Sequence, residues 1–176
     1  DFHRKFERLF KPFAIRPDVL IPSGSYRSWD VLLILDGALH RSFAGTEVLR
    51  FNYNWGFFDG SAIEMTVQSQ IKLSEAFSID LVYLLNHVDL PFGKFTSHVI
   101  NTRANYAFSN KWLTSTTVQY SNLDNFVNFR FRLNYIYRPG DDIFLIYNEG
   151  RNTSELDPDT LLGRSLMLKW TYSFDF

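Results

Sequence analysis

The sequence alternates between apolar and polar residues with a period of two, in runs longer than most folds use. From Glu47 to Trp55, Leu49, Phe51, Tyr53 and Trp55 share one parity, while Arg50, Asn52 and Asn54 take the other. Successive side chains point to opposite faces of an extended strand, whereas a helix would repeat every 3.6 residues. Run length matters as much as period. A strand in a soluble domain is usually about five or six residues long, and one that crosses a bilayer needs about 9–11.

The pattern recurs along the chain. Ile63, Met65, Val67, Ile71 and Leu73 oppose Glu64, Thr66, Gln68, Gln70 and Lys72. Phe77, Ile79, Leu81, Tyr83 and Leu85 oppose Ser78 and Asp80. Val127, Phe129, Phe131, Leu133, Tyr135 and Tyr137 oppose Asn128, Arg130, Arg132 and Asn134. The last run sets Leu166, Leu168, Trp170, Tyr172, Phe174 and Phe176 against Ser165, Lys169, Thr171, Ser173 and Asp175. Less regular extended runs are predicted at Phe2 to Phe10, Arg27 to Leu35, His98 to Tyr106, Trp112 to Tyr120 and Ile143 to Asn148. About ten strands result, each beside its sequence neighbour, which is an antiparallel up-and-down arrangement.

The connectors are predicted to alternate in length. Short turns fall at Ser74–Ala76, Ser109–Lys111 and Arg138–Asp141, and longer loops at Gly56–Ser61, Asp89–Lys94 and Gly150–Leu161. Outer-membrane barrels show that asymmetry, with short turns on the periplasmic side. Only Gly37–Gly45 is longer than its side predicts. Pro12, Pro17 and Pro22 keep residues 12–24 from being a regular central strand. That segment reads as an extracellular crossing or an irregular lead-in to a strand.

Composition removes several functions. Net charge is -1, so no basic surface points to nucleic acid. The absence of cysteine excludes disulfides, zinc-thiolate sites and cysteine nucleophiles. No apolar stretch reaches the roughly 18 residues of a membrane-spanning helix. Mean hydropathy is only -0.16, but a barrel wall evades a hydropathy average, because every second residue faces away from lipid.

A soluble sandwich also alternates, with its apolar face inward. Two features favour a wall facing lipid. The polar parity carries charges in mid-strand, predicted to face a lumen: Arg50, Glu64, Lys72, Asp80, Arg103, Arg130, Arg132 and Lys169. The apolar parity gathers aromatics at strand ends: Tyr53, Trp55, Tyr106, Trp112, Tyr120, Tyr135, Tyr137 and Trp170. Amphipathic rings favour a membrane-water boundary, and girdles of them flank the apolar band of such barrels.

The chain closes on Leu168, Trp170, Tyr172, Phe174 and Phe176 at alternate positions. This resembles the C-terminal signal read by the outer-membrane barrel-assembly machinery. An edge strand with alternate apolar anchors can pair with a receiving strand. A wider resemblance rests on motifs in order: Val88-Asp89-Leu90-Pro91 with Gly93 and Phe95-Thr96; Arg103-Ala104-Asn105-Tyr106-Ala107-Phe108-Ser109; and Val118-Gln119-Tyr120-Ser121-Asn122. Next come Tyr137-Arg138-Pro139-Gly140-Asp141-Asp142-Ile143-Phe144, Tyr147-Asn148-Glu149-Gly150-Arg151 and Arg164-Ser165-Leu166, with Pro12-Phe13 and Ile21-Pro22 at the front. From about residue 9 to 176 the chain resembles the C-terminal barrel of a bacterial outer-membrane family of unknown function. Members of that family usually carry an N-terminal domain resembling carbohydrate-binding module family 9. The resemblance implies an outer-membrane location with a periplasmic C-terminus, contact with outer-membrane lipid, and the assembly machinery as a partner during biogenesis. It also implies that residues 1–176 are the C-terminal portion of a larger barrel, without the family's N-terminal domain. It implies no substrate.

Candidate chemistry is sparse. His3, His40, His87 and His98 have neither helical spacing nor a carboxylate motif for a metal, so no metal and no cofactor are expected. His87 and Asp89, with Asp59, read as outer-loop residues, where a barrel hydrolase keeps its catalytic groups; a plain polar loop rim is the stronger reading, and no catalytic residue is assigned. No Gly-x-Ser-x-Gly elbow occurs. Arg103, Arg130, Arg132 and Lys169 either bias a pore towards anions or join Glu64, Asp80 and Asp175 in a network that fills a closed lumen. The expected role is structural or transport, without catalysis. Two alternatives stand beside it: an anchoring subunit for envelope partners, and a hydrolase with a loop-borne site.

Overall fold

A computed structural model describes residues 1–37, 46–154, 156 and 160–173. The fold is all-β. Ten strands form one antiparallel meander: β1 (Phe2–Leu9), β4 (Gly24–Asp36), β5 (Thr46–Phe57), β6 (Gly60–Lys72), β7 (Phe77–Leu90), β8 (Gly93–Ala107), β9 (Trp112–Ser121), β10 (Phe126–Arg138), β11 (Asp141–Asn152) and β12 (Leu161–Trp170). The short strands β2 (Phe13–Arg16) and β3 (Val19–Ile21) pair only with each other. The sheet is not closed: β1 pairs only with β4, and β12 only with β11. Among the described residues no helix is long and apolar enough to cross a membrane, a test that does not bear on strands.

Each of the ten predicted runs contributes a strand to this sheet, although the last stops at Trp170 and leaves Tyr172 outside it, and the ladder aligns their parities. Leu33 lies opposite Phe51, Phe51 opposite Met65, and Met65 opposite Leu85. Further along, Val118 lies opposite Phe129, and Leu145 opposite Leu168. A single-residue slip anywhere would have reversed one strand's faces. The two faces therefore stay separate across all ten strands.

The strands outrun the sequence reading at one end, here termed the upper end. The predicted run at Phe77 to Leu85 continues to Leu90, and the run from His98 starts at Gly93. Beyond Leu85 the apolar-side residues become polar (His87, Asp89, Lys94 and Thr96), yet they stay in the ladder. Alternation marked the apolar band, and hydrogen bonding continued past it.

The loop expectation is corrected accordingly. Gly56–Ser61 is a tight hairpin: Phe57 pairs with Gly60 across Phe58 and Asp59, both with positive φ of 46° and 65°. This is the primed turn that suits strand twist. Leu90 pairs directly with Gly93, so Asp89–Lys94 is also a two-residue turn. Residues 153–160 remain the longer connector, while the lower end carries both short turns and the 37–45 connector. Loop length therefore does not tell the two ends apart. The structure of residues 38–45 lies outside the described residues.

Residues 12–24 are neither a simple crossing nor a lead-in. They form the β2–β3 hairpin, and each proline falls just outside a strand: Pro12 before β2, Pro17 in the turn, Pro22 after β3. The hairpin lies on the polar side of the sheet at the upper end. There Val19 and Ile21 pack with Tyr26, Phe58, Ala62, Val88 and Leu90, the one cluster of buried apolar side chains among the described residues. Ile21 is fully buried. Gly60 and Gly93 permit this closeness. A Cβ on Gly60 would sit 2.1 Å from the Asp89 carbonyl oxygen, and one on Gly93, at φ +146°, would sit 2.9 Å from Val19 Cγ2.

Candidate functional site: the polar face

Hydrophobic burial is concentrated at the cap, and the broad apolar face of the sheet is uncovered. Leu33 is 51% exposed and Leu168 is 71% exposed, against 0% for Ile21. On β7 the apolar residues run from Phe77 to Leu85, eight steps or about 27 Å along the strand. At a tilt of about 40° that is roughly 20 Å, close to the ~25 Å band of an outer-membrane wall.

Aromatic residues lie at both limits of this band. At the upper limit Phe2, Trp29, Trp55 and Tyr53 follow one another with centroids 5.1, 6.4 and 6.3 Å apart, and Arg4 lies over Trp29 at 5.4 Å. Tyr120 lies towards the same end, opposite Ile100 and Val127. At the lower limit Trp112 stacks on Tyr135 at 4.3 Å, and Tyr106 packs between Phe77 and Phe108. Trp170 Nε1 donates to Tyr137 OH at 3.0 Å, where a bulge between Ile136 and Arg138 sets Tyr137 out of the ladder. Charges return above the band. Glu149 accepts hydrogen bonds from Tyr147 OH, from Arg151 Nε at 2.6 Å and from Arg164 Nε at 3.0 Å.

Arg50, Glu64, Lys72, Asp80, Arg103, Arg130, Arg132 and Lys169 all lie on the opposite, polar face. Neighbours there are joined by hydrogen bonds more than by ion pairs. Asp80 accepts from Gln70 Nε2 at 2.8 Å and from Asn105 Nδ2 at 3.1 Å. Ser115 Oγ donates to Asn105 Oδ1 at 3.0 Å. Arg130 Nε donates to Asn148 Oδ1 at 2.9 Å, and Asn148 Nδ2 to Ser165 Oγ at 3.2 Å. The expected charge network does not form among the described residues. Arg103 lies directly opposite Asp80 in the ladder, but two amides already occupy that carboxylate. Arg132 stacks on Phe144 at 4.3 Å instead of meeting a carboxylate. Asp175 lies outside the described residues. One ion cluster does form on this face: Asp30, 3% exposed, meets Lys5 Nζ at 2.9 Å and His3 Nδ1 at 3.2 Å.

At the lower end of the polar face lies a half-open hollow of about 720 Å³, lined also by the turn residues Ser74, Glu75 and Ala76. Side chains from β6 to β10 line it, so five neighbouring strands curve around one space. No protein-family profile, curated protein or solved structure matches this chain. The site is therefore read from its own geometry.

The loop-borne site is not assembled as expected. His87 and Asp89 lie within β7, not in a loop, and Asp59 lies in the tight Phe58–Asp59 turn. The His87 ring nitrogen is bonded to Thr96 Oγ1 at 2.7 Å, on the apolar-side parity. Among the described residues no group of three or more His, Cys, Asp or Glu is gathered to hold a metal.

Sequence reasoning missed two features. One is the cap: Phe58-Asp59-Gly60 carries a hairpin signal, and Val19 and Ile21 alternate between prolines, but Phe58 breaks the local parity. The other is a clasp at the lower end. Fully buried Asp141 pairs with Arg138 and accepts the Ser173 N–H at 2.5 Å. Ser173 Oγ donates to the Gly140 carbonyl at 2.9 Å, and Arg138 lies over Tyr172 at 4.6 Å. The clasp ties the end of β12 to the β10–β11 turn. Of the residues read as an assembly signal, Leu168 and Trp170 lie on β12, Tyr172 follows it, and Phe174 and Phe176 lie outside the described residues.

Proposed function

We propose that this chain is the C-terminal portion of a larger outer-membrane β-barrel, in a structural or transport role without catalysis of its own. The observation that carries the reading is the uncovered, aromatic-edged apolar face set against a continuous polar face that holds the mid-strand charges. In water so wide an apolar surface is a liability; in a bilayer it is the wall. The upper end is then extracellular, and the lower end, with the β12 terminus, is periplasmic. Outer-membrane lipid covers the apolar face. The barrel-assembly machinery receives the β12 edge during biogenesis.

The free edges support the larger barrel. Within a bilayer every backbone polar group needs a partner, so the β1 and β12 edges require further strands or each other. β1 runs upward and β12 downward, so any even number of added strands completes an antiparallel wall. A paired-cysteine scan across β1 and β12 tests this. Efficient disulfide formation within one chain would mean that these ten strands close on themselves.

Extraction tests the membrane reading. The protein is expected in the outer-membrane fraction, extractable only with detergent. A monomer that is soluble without detergent would end it. The projecting upper ends of β7 and β8 favour a second reading, an anchoring subunit for an envelope partner. Shortening residues 87–96 is expected to release a stoichiometric partner, and recovery of the protein alone under gentle extraction would count against this role.

A further inference from the structure

One cross-strand row crosses the hollow. Lys72 lies opposite Ser78, Ser78 opposite Asn105, Asn105 opposite Ser115, and Ser115 opposite Arg132. All five residues line the same space, which spans about 19 Å of sheet at ~4.8 Å per strand. A cation stands at each end of the row, with hydrogen-bonding groups between. Neither Lys72 nor Arg132 makes an ion pair among the described residues: Glu75, at the rim of the same lining, pairs with neither, and Asp80, beside the row, is held by Gln70 and Asn105. Arg132 is oriented by its ring contact with Phe144, which leaves its planar N–H fork unspent. Asn134, in the same lining, has a buried Oδ1 without a hydrogen-bond partner.

Taken together, two cations that flank neutral amides and hydroxyls, with the single carboxylate of Glu75 at the rim and paired with neither, describe one ligand chemistry. We propose that this hollow binds a small hydroxylated oxyanion, of the sugar-phosphate or sugar-acid kind, entering from the lower end. The volume of about 720 Å³ lies within the ~300–1,000 Å³ typical of small-molecule sites. Arg132 takes the oxyanion through paired N–H donors, Lys72 supplies the second charge, and ligand hydroxyls meet Asn105 and Ser115. The hairpin packs on the polar face at the upper end, and the hollow lies at the lower end, where the ligand enters. The inference rests on the polar face being a lumen.

Calorimetry on the full chain in detergent tests it with three probes: glucose 6-phosphate, inorganic phosphate and glucose. Glucose 6-phosphate is expected to bind most tightly, inorganic phosphate more weakly, and glucose not at all. Arg132→Gln and Lys72→Gln should each weaken glucose 6-phosphate binding by about tenfold or more, since charge-assisted hydrogen bonds are lost. Arg132→Lys should recover only part, because the fork and the stacking are gone. Arg50→Gln, on the same face but outside the hollow, should leave binding unchanged. The proposal is overturned if neither phosphate probe binds at 10 mM (about a hundredfold above a 0.1 mM Kd), if glucose binds as well as its phosphate, or if Arg50→Gln costs as much as Arg132→Gln. Lys72 and Arg132 are exposed, so their variants are expected to fold. A failure of membrane localisation leaves this measurement intact in plain buffer, so the two ideas fail separately.

Discussion

The cap gives the sharpest mechanical expectation, through Ile21→Ala. Ile21 is 0% exposed and Val19 1%, and these two side chains seat the β2–β3 hairpin. Cutting a buried isoleucine to alanine costs about 2–5 kcal/mol, depending on how far the site collapses. Ile15, packed against the same cluster, and Arg16, over the Phe95 ring at 5.0 Å, add smaller holds. The hairpin's own ladder is three residue pairs, Phe13 with Ile21, Ala14 with Leu20 and Arg16 with Val19, and its other face leaves Phe13 50% and Leu20 57% exposed. A lone two-stranded hairpin is marginal in water. A loss of about 3 kcal/mol therefore falls on docking, and raises the undocked population by roughly two orders of magnitude. The ten-stranded ladder is untouched, because no strand of the large sheet pairs with β2 or β3.

Chymotrypsin digestion of the folded protein, read by mass, measures that population. Cleavage after Phe13 and Leu20 requires the paired backbone to open, and tracks the open fraction when reclosure is fast. Cleavage at these two bonds should accelerate by about a hundredfold, while the sheet keeps its resistance to denaturation in detergent. If Ile21→Ala leaves both rates within about threefold of the parent, the cap is not held by this cluster. If cleavage instead appears only as the whole sheet unfolds, the hairpin is not a separately docked unit.

Three further outcomes follow from the geometry. Asp141→Ala strips the clasp of its buried acceptor and leaves the Ser173 N–H unpaired, a cost of about 1–3 kcal/mol, with the half-exposed Arg138 adding little; hydrogen exchange should show β12 fraying while β6–β8 stay protected, and unchanged protection in β12 would refute it. Leu81→Arg places a charge in the middle of the apolar face and should cost about 2–4 kcal/mol in a bilayer, whereas Thr96→Arg, above the band, should cost about 0–1; equal losses of folded protein in lipid vesicles would contradict the assigned band. Gly60→Ala drives a Cβ to 2.1 Å from a backbone oxygen, which cannot be relieved by a rotamer change, so thermal stability in detergent should fall more than for Gly163→Ala, where nothing lies within 4 Å.

The sequence made the faces of the sheet legible because parity is a local property. Each of Leu49, Phe51, Tyr53 and Trp55 reports its side without reference to any other strand, and the ladder then forces neighbours to agree. Strand ends were less legible. Between Leu85 and His98 the apolar-side residues turn polar while the backbone stays paired, so the alternation signal faded before the strands did. The cap and the clasp were hidden for a different reason. Ile21 meets Val88 and Leu90, and Asp141 meets Ser173, across separations that no window on the chain spans.

The hollow shows the limit of reading charge by composition. Arg103 and Asp80, both read from the sequence as lumen-facing charges, face each other in the ladder. Gln70 and Asn105, however, take the two carboxylate oxygens, at 2.8 and 3.1 Å. Lys72, Arg103 and Arg132 thus make no ion pair among the described residues, although Glu75 lines the same hollow. The upper part of that face differs: Asp30 meets Lys5 and His3 there, and the hairpin covers part of it with apolar side chains. One polar face is therefore divided along its length, partly covered by the hairpin above and half-open below. A uniform water-filled pore would need neither the buried Ile21 above nor the unneutralised Arg132 below. The proposed ligand site depends on that division between the two ends.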